Sequence, residues 1–241
     1  MAVNQLVAGS SPARGAIFER PSLILFDLDG TISDPITGIA RSINHALKTL
    51  GFEEVSENRI AKFIGIPLDE TLAALCETES GKLVNQLVIK YRERFSAVGY
   101  SENALYPGVR EALIDLHEKN LHLAVCTSKR ADYAQRILQM FELDSLFRFV
   151  NGGDVGIRKE HQIARMLADG KITGNALMIG DRSVDLAAAH ASGLASAGVL
   201  WGYGSREELE RENPSCLFRS PAEWHILADL SAACPKEPNS R

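Results

Sequence analysis

The sequence predicts an α/β protein built on a parallel sheet, because short apolar runs alternate along the chain with segments of helical periodicity. Continuous apolar runs that end in polar residues or glycine are typical of strands buried on both faces. Such strands are expected at 22–26, 121–126, 147–150, 176–180 and 195–200. Strands that alternate with helices form parallel sheets through right-handed crossovers. Ligands bind beyond the carboxyl ends of such strands, so functional residues are expected there.

One block interrupts this alternation, since no strand pattern occurs over residues 35–100. Proline near a helix start and glycine near a helix end mark boundaries within the block. Helices are expected from Pro35 to about Gly51, from Ser56 through Phe63, from Pro67 onward and over roughly 80–98. The last of them places Leu83, Leu87, Tyr91 and Phe95 at helical spacing. Such stripes are expected to form the core of a helical bundle.

These patterns divide the chain into segments with different expected roles. The α/β core is assigned to residues 21–34 and 104–230, and the helical insert to 35–103. Residues 1–20 and 231–241 are expected to be a flexible leader and tail, because terminal segments rich in small and polar residues seldom join a core. The leader also lacks the central apolar region of a secretory signal.

Two acids directly follow the first predicted strand, in the stretch Asp27-Leu28-Asp29-Gly30-Thr31. Side chains two residues apart on an extended chain point the same way, and glycine lets the backbone turn sharply after them. Two carboxylates at the end of a buried strand are costly to bury without a metal or a reacting partner. Asp27 and Asp29 are therefore candidates for catalysis.

A second pair of acids, Asp181 and Asp185, follows the predicted strand at 176–180. Asp185 falls in the first turn of the next helical pattern, where an acid also suits the helix dipole. That explanation does not account for Asp181 at the strand end. Acid pairs on two strand ends would make an all-oxygen site suited to Mg²⁺.

Hydroxyl groups follow another strand, because the apolar run at 121–126 is succeeded by Thr127, Ser128 and Lys129. Taken alone, Thr and Ser at this position are also common helix caps. Their place between the two acid pairs is what makes them candidates for a shared site.

In this order the segments resemble the motifs of the haloacid dehalogenase superfamily of phosphotransferases. Residues 27–31 match its Asp-x-Asp-Gly-Thr motif, and Thr127 matches the hydroxyl that ends its second motif. Residues 180–185 match its acidic motif, Gly-Asp-x-x-x-Asp. The resemblance implies a Rossmann-like parallel sheet flanked by helices, with an inserted all-helical cap.

Two further stretches narrow the resemblance to one group within the superfamily. Residues 63–68 look like the cap loop of the phosphoglycolate phosphatase group, and residues 198–209 look like the segment that follows its acidic motif. The resemblance covers roughly residues 22–230, which is most of the chain.

The superfamily also needs a basic residue, located between its second and its acidic motif, that holds the phosphate and the nucleophile together. Lys159, which opens a helical pattern, is assigned this role. Relatives often have a longer loop before this lysine or a proline after it, whereas Glu160 and His161 follow here. Arg158 and Lys129 therefore remain alternatives.

The resemblance also implies the role of each candidate residue. Asp27 would attack phosphorus to form an aspartyl-phosphate, and Asp29 would shuttle the proton. The residues that hold the phosphoryl group would be Thr127, Ser128 and Lys159. The residues that hold or orient Mg²⁺ would be Asp27, Asp29 through its backbone carbonyl, Asp181 and Asp185.

The implied activity is Mg²⁺-dependent hydrolysis of a small phosphate monoester, with a phosphoglycolate-like substrate favoured. Arg41 could meet the carboxylate of that substrate, although a solvated surface position is the simpler interpretation of Arg41. Nucleoside 5′-monophosphates and sugar phosphates are alternative substrates. A dehalogenase does not need Asp29, and phosphomutases often have Val in place of Thr31. A non-enzymatic binding or regulatory subunit would usually lack one of Asp27, Asp29 and Asp181, which are all present here.

The resemblance implies a small phosphorylated metabolite as the partner, and composition and charge indicate neither a nucleic acid nor a membrane. The net charge is −5 and no long basic patch occurs, so the charge pattern does not indicate nucleic-acid binding. No apolar stretch reaches the roughly 18 residues that a membrane span needs. The sequence carries no signal for an oligomeric state.

The cysteines are scattered along the chain, which predicts free thiols in a reducing compartment and hence a cytoplasmic protein. They are Cys76, Cys126, Cys216 and Cys234.

Overall fold

A computed structural model describes residues 20–229, so all of the expected leader except Arg20, and all of the expected tail, lie outside the described residues. The described strands are β1 (Leu23–Phe26), β2 (Ser33–Asp34), β3 (Ala104–Leu105), β4 (Leu123–Arg130), β5 (Phe147–Gly153), β6 (Ala176–Gly180), β7 (Ala195–Val199) and β8 (Cys216–Phe218). Six of them form one parallel sheet in the order β5-β4-β1-β6-β7-β8. The predicted parallel sheet is confirmed.

Helices connect and cover these strands. They are α1 (Ile36–Thr49), α2 (Glu57–Ala61), α3 (Leu68–Leu75), α4 (Gly81–Ala97), α5 (Val109–Glu118), α6 (Ala131–Met140), α7 (Lys159–Ala168), α8 (Ser183–Ala191) and α9 (Arg206–Arg211). Short 3₁₀ turns occur at Gly99–Ser101, Asp144–Leu146 and Pro221–Ala228.

The central strand β1 is apolar throughout because helices cover both faces of the sheet. All four of its residues are buried. Ile24 and Phe26 pack in one cluster with side chains of α5 and α6, whereas Leu23 and Leu25 pack in another with side chains of α7 and α8. This division follows from the alternation of side chains along a strand. Burying each such side chain stabilises the fold by roughly 1.5–3 kcal/mol.

The register of the sheet aligns the strand ends that carry the candidate residues. Phe26, the last residue of β1, lies opposite Val125 of β4 and Ile179 of β6. The residues that follow these positions therefore leave the sheet at one edge.

The helical block lies between the two strands outside the main sheet. β2 and β3 pair antiparallel, with Ser33 opposite Leu105, and the chain runs through α1–α4 between them. The four helices form a hydrophobic cluster of their own, which includes Ile43, Leu47, Leu72, Leu87 and Phe95. Tyr133 of α6 also belongs to this cluster and so connects the block to the sheet-covering helices.

Some strands differ from the sequence-based expectation. β4 and β5 run past their apolar segments, since Cys126 pairs with Asn151 and Thr127 pairs with Gly152. The added residues are polar because this part of each strand approaches the site and no longer lines the core. β2, β3 and β8 were not predicted, because two or three residues are too few to show a strand pattern.

The prediction that all cysteines are free thiols is partly wrong. Cys76 and Cys126 are free, but Cys216 is disulfide-bonded. Cys234 lies outside the described residues. A disulfide is uncommon in a reducing compartment, so the state of Cys216 does not support the predicted cytoplasmic location. The free thiols Cys76 and Cys126 agree with that location. Within residues 20–229 every helix is too short or too polar to cross a bilayer.

Truncating Phe26 tests the packing of the central strand. Phe26 is fully buried, and its ring lies 4.8 Å from the ring of Trp224 between centroids. Phe26→Ala should lower the free energy of unfolding by about 3–5 kcal/mol, measured by urea denaturation. The control is Ile89→Ala, because Ile89 is 56% exposed and its truncation should change stability by less than about 0.5 kcal/mol. Similar losses in both variants would contradict this account of the core.

Candidate active site

The predicted acids meet at the edge of the sheet where β1 and β6 end. Asp27 follows β1, Asp181 follows β6, and Asp185 lies in the first turn of α8. Each offers a carboxylate oxygen, and these oxygens lie within 4.8 Å of one another. All three residues are buried, at 1% exposure or less. The cluster therefore concentrates negative charge in a small volume shielded from water.

Lys159 lies among these acids. It begins α7, and its Nζ lies 3.0 Å from Oδ1 of Asp27 and donates a short hydrogen bond to Oδ1 of Asp185. Burial lowers the pKa of Lys159, but the carboxylates of Asp185 and Asp27 outweigh burial and leave that pKa raised. Lys159 is therefore charged, and it is the cation that contacts the predicted nucleophile.

Arg158, one of the alternatives to Lys159, points away from the acids. Its side chain is 62% exposed and pairs with Glu70 of α3 at 3.2 Å. Such an exposed pair contributes little to stability. The structure thus separates two adjacent basic residues, one buried at the site and one at the surface.

The charge of the cluster suits a divalent cation. When all three carboxylates are ionised, Lys159 offsets one of them and two negative charges remain buried together. Burial raises the pKa of Asp185 to about 6, and burial together with the neighbouring carboxylates of Asp185 and Asp27 raises the pKa of Asp181. Clustered buried charge of this kind is costly unless it is matched. Carboxylate oxygens are ligands that Mg²⁺ prefers, so the donor set fits this ion.

Gly30 allows the loop after β1 to approach Asp181. The backbone φ at Gly30 is +85°, and a Cβ atom there would lie 2.1 Å from Oδ2 of Asp181. Thr31 of the same loop donates from Oγ1 to Oδ1 of Asp181 at 3.3 Å. Glycine is therefore required by both the turn and the close approach, which explains the Asp-Gly-Thr sequence.

Backbone amides also donate hydrogen bonds to each of the three acids. The amide of Leu28 donates to Oδ1 of Asp27 at 2.8 Å, and the amide of Tyr203 donates to Oδ2 of Asp181 at 2.8 Å. The amide of Arg182 donates to Oδ2 of Asp185 at 3.1 Å. The contribution of the loop around Tyr203 was missed by sequence reasoning, because an amide donor leaves no trace in residue type.

Asp29 pairs with a lysine that the sequence offered as an alternative phosphate-binding cation. Its Oδ2 lies 2.8 Å from Nζ of Lys129, and both side chains are largely buried. Burial raises the pKa of Asp29, and the charge of Lys129 opposes this rise. Oδ1 of Asp29 is buried without a hydrogen-bond partner in the part of the chain that the structure describes. Lys129, considered as the phosphate cation, is thus the counter-ion of Asp29.

Thr127 is held at the site by a residue that the sequence did not single out. Thr127 is buried, and its carbonyl accepts a hydrogen bond of 3.1 Å from Nε2 of Gln162. Gln162 also donates to Oδ1 of Asn151 on β5 at 2.9 Å. Gln162 lies three residues after Lys159 on α7, so helical spacing puts both on one face. That spacing is the signal which could have identified it.

Ser128 contacts the loop between α2 and α3, whose sequence resembles a cap loop. Its Oγ donates to the carbonyl of Gly65 at 3.1 Å. The guanidinium of Arg182 donates to the carbonyl of Ile64 in the same loop. These contacts hold the helical block against the edge of the sheet that carries the acids.

A cavity separates the helical block from the sheet edge at the site. Asp27, Asp29, Thr127 and Ser128 line its base. Its walls are largely apolar and include Ile39, Ile43, Phe63, Tyr91, Phe95 and Tyr133. Tyr91 and Phe95, expected to be bundle core only, therefore also face the site. Arg41, suggested as a partner for a substrate carboxylate, is not among the lining residues and pairs with Glu102 at 2.6 Å.

Comparisons with known proteins identify the class to which this fold and site belong. Residues 24–199 match the family model of haloacid dehalogenase-like hydrolases. The chain therefore belongs to this family. This confirms the predicted family, the α/β fold and the predicted enzyme class, a phosphatase of the haloacid dehalogenase type.

Individual relatives span nearly the whole chain. A 5′-nucleotidase of Pseudomonas aeruginosa is 38% identical over 91% of this chain and 96% of its own length. A phosphoglycolate phosphatase of Vibrio parahaemolyticus is 30% identical over 87% of this chain and 97% of its own length. The crystal structure of a predicted phosphatase from Clostridium acetobutylicum superposes with a TM-score of 0.80 at 31% identity, covering 86% of this chain and 97% of that one.

A metal-binding experiment tests the charge argument for the acid cluster. Mg²⁺ should raise the melting temperature, because a ligand present at 100 times its Kd stabilises the folded state by about 2.7 kcal/mol. Asp181→Asn should weaken Mg²⁺ binding by at least about ten-fold, measured by titration calorimetry at fixed pH. Asp169→Asn serves as the control, since Asp169 is a surface acid at the end of α7 paired with Arg165. Unchanged affinity in the Asp181 variant would remove this residue from the metal site.

Proposed function

We propose that this protein is a Mg²⁺-dependent phosphatase that hydrolyses a small phosphate monoester through a covalent aspartyl-phosphate on Asp27. The observation that carries the proposal is the contact of Lys159 with Asp27 inside a buried cluster of acids. The nucleotidase and the phosphoglycolate phosphatase among the relatives support a phosphorylated metabolite as the substrate.

The proposed Mg²⁺ ligands are the carboxylates of Asp27 and Asp181 and the backbone carbonyl of Asp29. Asp185 would orient the metal-bound groups without binding the metal directly, since it already contacts Lys159 and the amide of Arg182. Held by these residues, Mg²⁺ would reduce the repulsion between an anionic nucleophile and a phosphate dianion.

The proposed reaction uses the two acids of the first loop in different ways. The Asp27 carboxylate attacks phosphorus, so that a bond from its oxygen to phosphorus forms while the bond from phosphorus to the leaving oxygen breaks. Asp29 gives its proton to the leaving alkoxide. Asp29 then takes a proton from water as the water oxygen bonds to phosphorus. The bond from phosphorus to Asp27 breaks, which releases inorganic phosphate and restores the Asp27 carboxylate. The unpaired Oδ1 of Asp29 leaves one oxygen free to exchange this proton.

The phosphoryl oxygens would be held by three groups at the sheet edge. These are the Thr127 hydroxyl, the Ser128 backbone and the Lys159 ammonium. Donors fixed in place before the reaction stabilise developing charge without reorganising. Gln162 and Asp185 would position Thr127 and Lys159 through the contacts described above.

The helical block 35–103 is proposed to act as a cap on the core formed by residues 21–34 and 104–230. Its separate hydrophobic cluster and its loop contacts at Ser128 and Arg182 support this division. A cap that closes on the site excludes bulk water during the reaction and opens for product release. A cytoplasmic location is also proposed, on the basis of the free thiols Cys76 and Cys126.

Removing the nucleophile tests the first step. Asp27→Asn should abolish turnover, because an amide is a poor nucleophile and also weakens the metal site. Rapid acid quenching of the wild-type enzyme followed by peptide mass spectrometry should locate a phosphate on Asp27. Asp115→Asn, a surface substitution on α5, should leave turnover unchanged. Phosphate trapped on another residue would refute the assignment of Asp27.

Removing the second acid tests the proton shuttle. Asp29→Asn should spare Mg²⁺ binding and reduce turnover of an alkyl phosphate by roughly 10²–10⁴-fold. The loss should be smaller for p-nitrophenyl phosphate, whose leaving group departs without protonation. Hydrolysis of the aspartyl-phosphate should stay slow, so phosphorylated Asp27 should accumulate and be visible by mass spectrometry. Wild-type turnover of an alkyl phosphate by this variant would reject the two-aspartate mechanism.

A further inference from the structure

The aromatic wall of the site cavity supplies none of the groups that the proposed mechanism uses to attack phosphorus or to hold the phosphoryl oxygens. Tyr91 and Phe95 of α4 and Tyr133 of α6 form this wall, and each is at most 7% exposed. The rings of Tyr91 and Phe95 are stacked with centroids 5.2 Å apart, and Phe95 meets Tyr133 edge-on at 5.1 Å. Rings that hold one another in place form a preformed apolar surface.

Lys129 shows which part of a substrate faces this wall. Its Nζ lies 2.8 Å from Oδ2 of Asp29 and 4.7 Å from the centroid of the Phe95 ring. In the proposed reaction Asp29 gives its proton to the leaving oxygen, so that oxygen must lie within hydrogen-bond reach of Asp29. The rest of the leaving group then extends into the space beside Phe95 and Tyr91.

The cations that line the cavity are already paired with carboxylates. Arg92 lies 2.6 Å from Asp154, Lys129 lies 2.8 Å from Asp29, and Arg130 lies 2.9 Å from Asp132. A substrate carboxylate would have to displace one of these partners to gain a counter-ion from the lining. The wall therefore offers apolar contact and little charge complementarity to an acidic leaving group.

We propose, on the basis of the phosphatase function proposed above, that this enzyme selects monoesters whose leaving alcohol carries a planar ring. The ring packs against Tyr91, Phe95 and Tyr133 while the phosphate lies at Asp27. Two sources share this chemistry: aryl or arylmethyl phosphates, which carry the ring close to the ester oxygen, and nucleoside 5′-monophosphates, which carry it on a ribose. Short acidic esters such as phosphoglycolate gain nothing from the wall.

A set of substrates with leaving groups of similar basicity tests this selection. We expect kcat/KM with saturating Mg²⁺ to be about 10- to 100-fold higher for benzyl phosphate or a nucleoside 5′-monophosphate than for glycerol 3-phosphate or phosphoglycolate. All four are alkyl esters, so a difference in leaving-group departure does not explain such a ranking. The order of benzyl phosphate and the nucleotide identifies the source of the ring. A kcat/KM for phosphoglycolate that equals or exceeds both ring substrates would overturn the proposal.

Variants of the wall separate recognition from chemistry. Tyr91→Leu should raise KM for the ring substrates by about ten-fold and lower kcat/KM for glycerol 3-phosphate by a clearly smaller factor. Tyr133→Leu provides a second test if Tyr91→Leu fails to fold, as judged by its melting temperature. Ile89→Ala, on the exposed side of the same helix α4, is the matched control and should change neither ranking nor KM. Equal losses for all substrates in both wall variants would assign these rings a structural role only.

Binding of non-hydrolysable analogues distinguishes this proposal from the phosphatase mechanism. In the presence of Mg²⁺, 2-phenylethylphosphonate should bind at least about ten-fold more tightly than 3-phosphonopropionate, which mimics phosphoglycolate. If this difference is found while no monoester is hydrolysed, the wall recognises rings and the phosphatase function fails. If 3-phosphonopropionate binds as tightly or more tightly, the ring proposal fails whatever the turnover shows.

Discussion

The buried contact between Lys159 and the carboxylates of Asp27 and Asp185 is the interaction on which the rest of the site depends. Groups of opposite charge can share a dry interior only when each has a partner, because desolvation otherwise exceeds their attraction. Lys159 meets this condition for two acids, and backbone amides of separate loops donate further hydrogen bonds to all three acids. The negative charge that remains equals the charge of one divalent ion. The charge and the oxygen ligands of the cluster thus fit a divalent cation such as the proposed Mg²⁺.

Strand register brings the residues of this cluster together. β1 lies between β4 and β6, so the loops that leave these strands must share one edge. Close approach is then limited by side-chain volume, and Gly30 removes the limit where its loop meets Asp181. Apolar side chains of the strands pack against helices on both faces of the sheet and so fix the positions of the strand ends. The site therefore depends on core packing as well as on its own residues.

The sequence predicted this part of the structure well because each acid follows a strand with a strong apolar signal. Asp27, Asp181 and Lys159 could be placed by their position after or before such elements. Lys129 and Gln162 could not, because their partners, Asp29 and Thr127, are reached across space from another element. The same limit applies to Tyr91 and Phe95: helical spacing showed that they face inward, but not that they line a cavity together with Asp27. The disulfide state of Cys216 likewise has no local signal in the sequence.

Lys129 connects the chemistry of the core with the composition of the helical block. Its ammonium contacts Asp29 on one side and the Phe95 ring on the other, and its side chain is only 6% exposed. The helical block therefore supplies part of the surface that keeps this ion pair dry. Water entering at this point would weaken the pairing, since the attraction between charges falls as the local dielectric constant rises. In the mechanism proposed above, the residues that contact the leaving group would thus also control the environment of the acid that protonates it. Substrate selection and proton transfer would then both depend on the contact of the helical block with the sheet.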